Sequence, residues 1–427
     1  MIGGPSVLPG GRALGNPGVP QRIAKTVLVS STHCIVQRRC QLLPFAFALR
    51  LFRRAAPSAV SLLYQDIQDV WIDWVKFVPT HCVRILAKNV CLPKSIVNWN
   101  RTECRSSSGL LRAFCLSVAL LALSSVCLAQ EEKPEWCKAL PRPEYKALQR
   151  VLPDETWFEV YKVAPATFAI YEPHQFEETI SYLIVGTKQA LLFDTGMGIG
   201  NLKALVARLT SKPIVVLNSH THNDHVGDNW QFAYIFGMDT AFTRQNAKGS
   251  RTDAQAELSE GQVCGDLPKG FNAEKYVTKP WKIELFVHDG FKVNLGHRTV
   301  EIIATPGHTP DAISLIDREN GLLFTGDTYY PAPIWLYRPE TNLAAYVASV
   351  KKLVALAPQV KVVLGAHNIP VADPAVLAKL QAAIQTIVDG KAKPASVNGE
   401  EAAYQVGDFS FRMHNPLPAV NSTTGKP

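Results

Sequence analysis

The pattern of apolar and polar positions changes character along this chain of 427 residues. From about Trp157 onward, short apolar runs alternate with helical periods. Ile180-Ser-Tyr-Leu-Ile-Val185 predicts a strand, Gly186-Thr187-Lys188 a turn, and Ala190-Leu-Leu-Phe193 its hairpin partner. Leu202, Leu205, Val206 and Leu209 recur at helical spacing, so Asn201–Leu209 predicts a helix. Ile214–Leu217 reads as a buried strand, followed later by strands at Thr299–Ile303, Ala312–Ile316, Leu322–Phe324 and Val360–Leu364. Helices are expected over Leu343–Ala355 and Pro374–Val388, the second capped by Asp373 with Pro374 in its first turn. Strand runs at both ends with helices between them imply sheets covered by helices. After Gly390 the chain turns polar and Pro-containing, and 391–427 reads as a C-terminal tail that frays.

The first third follows neither period. Pro, Gly and Arg are scattered through residues 1–108, and aromatic islands such as Val70-Trp-Ile-Asp-Trp-Val75 have no partner segments. Arg101, Arg105 and Arg112 then precede an apolar stretch from Ala113 to Leu123 and the sequence Ser124-Ser-Val-Cys-Leu-Ala-Gln130. That is the layout of a secretory signal peptide over 109–129, cleaved near Ala129/Gln130. The apolar run of about 11 residues falls short of the roughly 20 that span a bilayer, so no stable membrane anchor is expected. The mature protein is expected to be periplasmic or secreted. A signal inside the chain makes 1–108 read as a disordered upstream extension brought in by a wrongly placed start. Residues 130–156 are then an N-terminal lead and 157–390 the folded domain.

Charge supports that division. The whole chain carries +8, with 44 Lys and Arg against 36 Asp and Glu. From Gln130 onward there are 29 basic against 32 acidic residues, a net of −3, which leaves 15 against 4, or +11, for 1–129. The folded part therefore offers nothing that asks for nucleic acid. Seven of the nine cysteines also precede Gln130. The remaining two, Cys137 and Cys264, are expected to pair in an oxidising compartment, tying the lead to the long connection after Gly227.

The chemistry concentrates in Asn218-Ser-His220-Thr-His222-Asn-Asp224-His225-Val-Gly227, directly after a buried strand. Imidazole nitrogens and carboxylate oxygens are zinc ligands, and alternation puts His220 and His222 on one side of the chain. Further candidates stand at three other strand ends: His308 in Thr305-Pro-Gly-His-Thr-Pro310, Asp327 in Phe324-Thr-Gly-Asp-Thr328, and His367 in Leu364-Gly-Ala-His367. Each has a nearby glycine that allows close backbone approach.

This order, His-x-His-x-Asp-His, Gly-His, Gly-Asp and a final His, resembles the metallo-β-lactamase superfamily over roughly Trp157–Val388. The resemblance implies an αββα sandwich with the site at one edge between two sheets. It implies two Zn2+ ions, one held by His220, His222 and His308, the other by Asp224, His225 and His367, with Asp327 bridging. Iron or manganese suits the same nitrogen and oxygen donors. Asp194 in Leu191-Leu-Phe-Asp-Thr-Gly196 resembles the family's first motif, an aspartate that orients ligands from behind. The reaction implied is metal-assisted hydrolysis of a small molecule.

Among the branches, a bridging Asp327 together with His225 counts against β-lactam hydrolysis as the main activity. Glyoxalase-II-like thioesterases share the ligands but usually add a larger helical C-terminal part. N-acyl-homoserine lactonases carry a tyrosine three residues after the bridging aspartate, and Tyr330 stands there. A neutral phenol donates to a developing oxyanion, so the expectation is a quorum-quenching N-acyl-homoserine lactonase using Asp224, Asp327 and Tyr330, with a glyoxalase-II-like thioesterase and a β-lactamase-like hydrolase as the alternatives. Trp230, Phe232, Tyr234, Phe236, Phe242, Trp281 and Phe286, with Pro331–Tyr337, would wall an acyl pocket.

Overall fold

A computed structural model describes residues 133–418 and Val420. The expectations for 1–108 and for the signal over 109–129 lie outside the described residues. Among those described, no helix is long and apolar enough to cross a membrane.

The first sheet has eight strands in sequence order: β1 (Gln149–Val151), β2 (Glu159–Ala164), β3 (Thr167–Tyr171), β4 (Ile180–Val185), β5 (Ala190–Phe193), β6 (Ile214–Leu217), β7 (Ile235–Met238) and β8 (Leu285–Val287). It is antiparallel through β5 and parallel from β5 to β8. The β4–β5 hairpin pairs Tyr182 with Phe193 and Val185 with Ala190 across the Gly186 turn. Helix α1 (Leu202–Leu209) lies between β5 and β6, capped by Asn201 Oδ1, which accepts from Ala204 N at 3.0 Å. Three short helices follow: α2 (Asn223–Val226) before β7, then α3 (Ala241–Asn246) and α4 (Thr252–Ala256) between β7 and β8.

The second sheet is built from β9 (Lys292–Asn294), β10 (Thr299–Ala304), β11 (Ile313–Asp317) and β12 (Leu322–Gly326). A later strand, β14 (Val362–Gly365), pairs parallel with β12. Strand alternation assigns each face its partner. Tyr182, Ile184, Leu191 and Phe193 point from the first sheet into a core shared with Leu315, Phe324 and Leu364 of the second. Phe324 meets Tyr182 and Phe193 edge-on, with ring centroids 5.1 and 6.2 Å apart. The opposite residues, Leu183, Leu192 and Val216, bury against Leu202, Leu205 and Val206 of α1. On the other outer face Ile316, Leu323 and Val363 pack against helices α5 (Leu343–Leu356) and α6 (Ala375–Val388). The layers are helix, sheet, sheet, helix, the expected αββα sandwich. Asp373 Oδ1 accepts from Ala375 N at 2.8 Å, but Pro374 takes the N-cap position that the sequence assigns to Asp373, and the helix proper begins at Ala375.

Composition after Gly390 predicts a frayed tail; the structure has a third sheet there instead. The short strand β13 (Ile334–Leu336) is followed, beyond α6, by β15 (Ser396–Asn398), β16 (Glu401–Val406) and β17 (Phe409–His414), in the order β13-β17-β16-β15. Ala402, Tyr404, Phe409, Phe411 and Met413 alternate with polar positions and bury against the helical layer. The lead also folds back: short 3-10 turns at Glu135–Ala139 and Pro143–Ala147 precede β1, so the first sheet starts before Trp157.

Candidate metal centre

Four strand ends deliver the site. β6 runs into His220 and His222, and the single turn α2 brings round Asp224 and His225. β10 leads to His308, β12 to Asp327 and β14 to His367. Two glycines make the approach possible. A Cβ on Gly307 would lie 2.3 Å from Tyr346 Cα of α5, and one on Gly326 2.6 Å from Ser219 Cβ, and both glycines have positive φ.

The donors fall into three overlapping groups, each with its atoms within 4.8 Å of one another: His220, His222 and His308; His220, His225 and Asp327; and Asp224, His225 and His367. His222 Nδ1 lies 2.9 Å from His220 Nε2 and 3.1 Å from His308 Nε2. Asp327 stands between the groups. Its Oδ2 is 3.5 Å from His308 Nε2 and its Oδ1 3.5 Å from His225 Nε2, while His367 Nε2 faces both oxygens, at 3.0 Å from Oδ1 and 3.2 Å from Oδ2. Tyr330 lines the same cleft, with Glu177, Asn223, Glu257, Trp335 and Arg338.

Hydrogen bonds behind the imidazoles decide which nitrogen faces inward. His308 Nδ1 donates to Trp335 O at 2.8 Å and His367 Nδ1 to Glu177 O at 2.6 Å. A carbonyl can only accept, so each Nδ1 carries a proton and the inward Nε2 is the nitrogen left to face a metal. His225 Nδ1 faces Asp194 Oδ2 at 3.0 Å, and His222 Nε2 faces Glu340 Oε1 at 2.7 Å. His225 Nε2 is buried without a hydrogen-bond partner, with Asp224 Oδ2 2.9 Å away. An orphaned buried nitrogen among convergent nitrogen and oxygen donors fits a divalent cation, which would supply the missing partner.

Burial and neighbouring histidines hold His220 well below the ordinary imidazole pKa and bring His308 down to about 4. For His367, burial pulls the other way, but the charge of Asp327 prevails and raises it to about 9. Burial likewise opposes ionisation of Asp224 and Asp327, and the facing histidines outweigh it, leaving both carboxyls well below their usual range. Two neutral imidazoles thus face two ionised carboxylates across the cleft.

Asp194 sits behind the donors. Its Oδ1 accepts from Ser219 N at 2.6 Å, its Oδ2 binds His225, and its φ of 70° is one that few non-glycine residues adopt. Tyr330 does not stand as the lactonase expectation needs. Its hydroxyl donates to Pro333 O at 3.0 Å and accepts from Trp335 N at 3.2 Å, so its proton already has an acceptor. The expected acyl wall is also mostly elsewhere. Trp230, Tyr234 and Phe286 are surface residues, 45, 63 and 42 % exposed, while Phe232, Phe236 and Trp281 pack on the cores of the first sheet. Of the expected wall, Phe242, edge-on to His222 at 5.8 Å, and Trp335 reach the site. Sequence reasoning missed Glu340 and also Asp311, whose buried carboxylate takes the hydroxyls of Thr221, Thr243 and Thr309 at 2.6, 2.9 and 2.7 Å. Cys137 and Cys264 form a disulfide with Cα atoms 5.8 Å apart.

The family model described as the metallo-beta-lactamase superfamily matches residues 176–367. Acyl-coenzyme A thioesterase MBLAC2 of Bos taurus is 27% identical over 187 residues, covering 41% of this chain and 67% of that protein. Hydroxyacylglutathione hydrolase GloC of Haemophilus influenzae is 26% identical over 195 residues, covering 44% of this chain and 85% of that protein. Among solved structures, a metallo-beta-lactamase family protein from Thermus thermophilus covers 54% of this chain and 82% of its own, at 20% identity and a TM-score of 0.41.

Proposed function

We propose that this chain, a metallo-hydrolase of the metallo-β-lactamase superfamily through its residues 176–367, uses two zinc ions to hydrolyse thioesters of small-molecule thiols. The observation that carries the metal part is the position of Asp327, whose carboxylate lies within 3.5 Å of His308 on one side and of His225 and His367 on the other. His220, His222 and His308 would hold one ion, and Asp224, His225 and His367 the other. When bound, the metals polarise the acyl carbonyl and lower the pKa of water.

The chain's own residues do the rest. Glu340, Asp194, Trp335 O and Glu177 O keep the rings turned inward, and Tyr330, buried with its ring 4.7 Å from that of His367, helps close off one side. Arg338 and Trp335 line the cleft where a leaving group exits. A thiolate with a conjugate acid near pKa ~8.5 leaves without a strong proton donor, whereas a lactone alkoxide asks for one. With the Tyr330 proton committed to Pro333 O, the cleft suits the thioester better. The two relatives named above for an activity are a thioesterase and a hydroxyacylglutathione hydrolase, which supports the same reading. Export is part of this proposal, supported by the 109–129 pattern and by the disulfide.

The test is a panel assayed with zinc-loaded full chain: S-lactoylglutathione, a medium-chain acyl-coenzyme A, a long-chain acyl-homoserine lactone and a chromogenic cephalosporin. Thioester kcat/KM is expected to exceed lactone kcat/KM at least about tenfold, or about 1.4 kcal/mol in transition-state binding. A preference for the lactone would overturn the substrate class and leave the metal chemistry standing.

A further inference from the structure

The lead that precedes the sheets is packed against the back of the metal centre. Beyond the Cys137–Cys264 disulfide, Trp136 Nε1 donates to Gly261 O at 2.8 Å, and Tyr145 stacks on Tyr171 with centroids 4.5 Å apart. Between these contacts Arg142 reaches inward. Its Nε and Nη2 donate to Glu178 Oε2 and Oε1 at 2.6 and 2.5 Å, a two-pronged pair that a guanidinium makes and an ammonium cannot.

Glu178 is 1% exposed, and it joins the lead to the end of β14. Besides Arg142 its carboxylate takes the hydroxyl of Tyr171 and, at 2.8 Å, the side-chain amide of Asn368. Its backbone carbonyl accepts from Asn368 N at 3.1 Å. The neighbouring carbonyl, Glu177 O, is the one that takes the Nδ1 proton of His367, and Ile180 N donates to Ala366 O at 2.7 Å. Residues 177–180 thus grip both sides of His367. Glu178 and Asn368 both have left-handed backbone, with φ of 47° and 61°. A glutamate seldom adopts that conformation, and here it is held on both sides, by the paired carboxylate and by the backbone bonds from Glu178 N to Gln175 O and from Asn368 N to Glu178 O.

We propose that Arg142 is a positioning residue for His367: by pairing with Glu178 it fixes the carbonyl that orients the imidazole, and so aims Nε2 at the metal. The proposal rests on the reading that His367 holds a metal. It gives the lead a part in the site: without Arg142, Glu178 would be a buried unpaired carboxylate, Asn368 would lose its anchor, and Glu177 O its place.

The test is stepwise Zn2+ affinity by chelator competition on full-length, folded protein. His367→Ala identifies the zinc-binding step that depends on His367. The double variant Arg142→Met/Glu178→Gln, which leaves no unpaired charge, is expected to weaken that same step about 10- to 100-fold and leave the other within about threefold. Arg142→Lys is expected to fall between wild type and the double variant. Arg150→Met, which breaks the partly exposed Arg150–Glu159 pair between β1 and β2, is expected to change neither step. A double variant that melts earlier yet binds both zinc ions like wild type would reduce Arg142 to a fold-stabilising role and overturn the proposal. Unchanged zinc binding in His367→Ala would overturn it at its premise, and the two failures are told apart by that variant alone.

Discussion

The carboxylate of Asp327 lies 3.0 and 3.2 Å from His367 Nε2 through its two oxygens, while its Oδ2 is also 3.5 Å from His308 Nε2. Among the described residues, no other carboxylate in the site faces both groups in this way. Asp327→Ala is therefore expected to retain one zinc ion and release the second. Its kcat/KM should fall more than about 100-fold, beyond the upper range for losing a merely supporting partner. Metal analysis after gel filtration, read beside kcat/KM, checks this, and full occupancy of two ions in the variant would contradict the bridging role.

The hydroxyl of Tyr330 is committed to the loop Pro333–Trp335. Tyr330→Phe is expected to keep kcat/KM within about threefold and to lower stability by about 1 kcal/mol, the usual net worth of a hydrogen bond. A loss of two orders of magnitude in a folded variant would return the phenol to the reaction.

Glu172 is buried, accepting from Trp157 Nε1 at 2.7 Å and Met197 N at 2.9 Å, and burial raises its carboxyl from 4.5 to about 7. The fold thus prefers the neutral acid. The stability this contributes is complete below pH 4.5 and is lost as pH rises through 7, a difference of about 3 kcal/mol between the two ends of that window. Glu172→Gln cannot titrate. Its urea midpoint is expected to vary less than that of wild type between pH 5 and pH 8, whatever its absolute stability. Parallel pH profiles for the two proteins would refute this account of Glu172.

Phe324 fills the space between the sheets against Tyr182 and Phe193 three residues before Asp327. Phe324→Ala is expected to cost about 3–5 kcal/mol in chemical denaturation, the range for a large aromatic removed from a closed core. A change below about 1 kcal/mol would mean that the inter-sheet core does not hold the four strand ends of the site together.

The seven candidate donors that the fold brings together were legible in the sequence because metal chemistry restricts such donors to a few side chains at close spacing after buried strands. The inner strands were legible for a related reason: Ile180–Val185 and Ala190–Phe193 are buried on both faces, so nearly every position is apolar. What supports the donors leaves no such trace. Glu340 in Arg338-Pro-Glu340 and Glu178 in Phe176-Glu-Glu178 look like any surface carboxylates until folding brings His222 and Arg142 to them. The role of Tyr330 turned on where one hydroxyl hydrogen points, which depends on the path of the loop through Pro333. The C-terminal sheet did carry a signal, since Phe409, Phe411 and Met413 alternate with Ser410 and Arg412, but the surrounding Lys, Pro and Gly masked it.

The most direct measurement is to strip the full-length protein with a chelator, return zinc in steps, and follow bound metal and thioester hydrolysis in the same samples. The account predicts no turnover without metal and activity that reaches its maximum at two zinc ions per chain. Full activity in the stripped protein, or a maximum at one ion with no further binding, would contradict it.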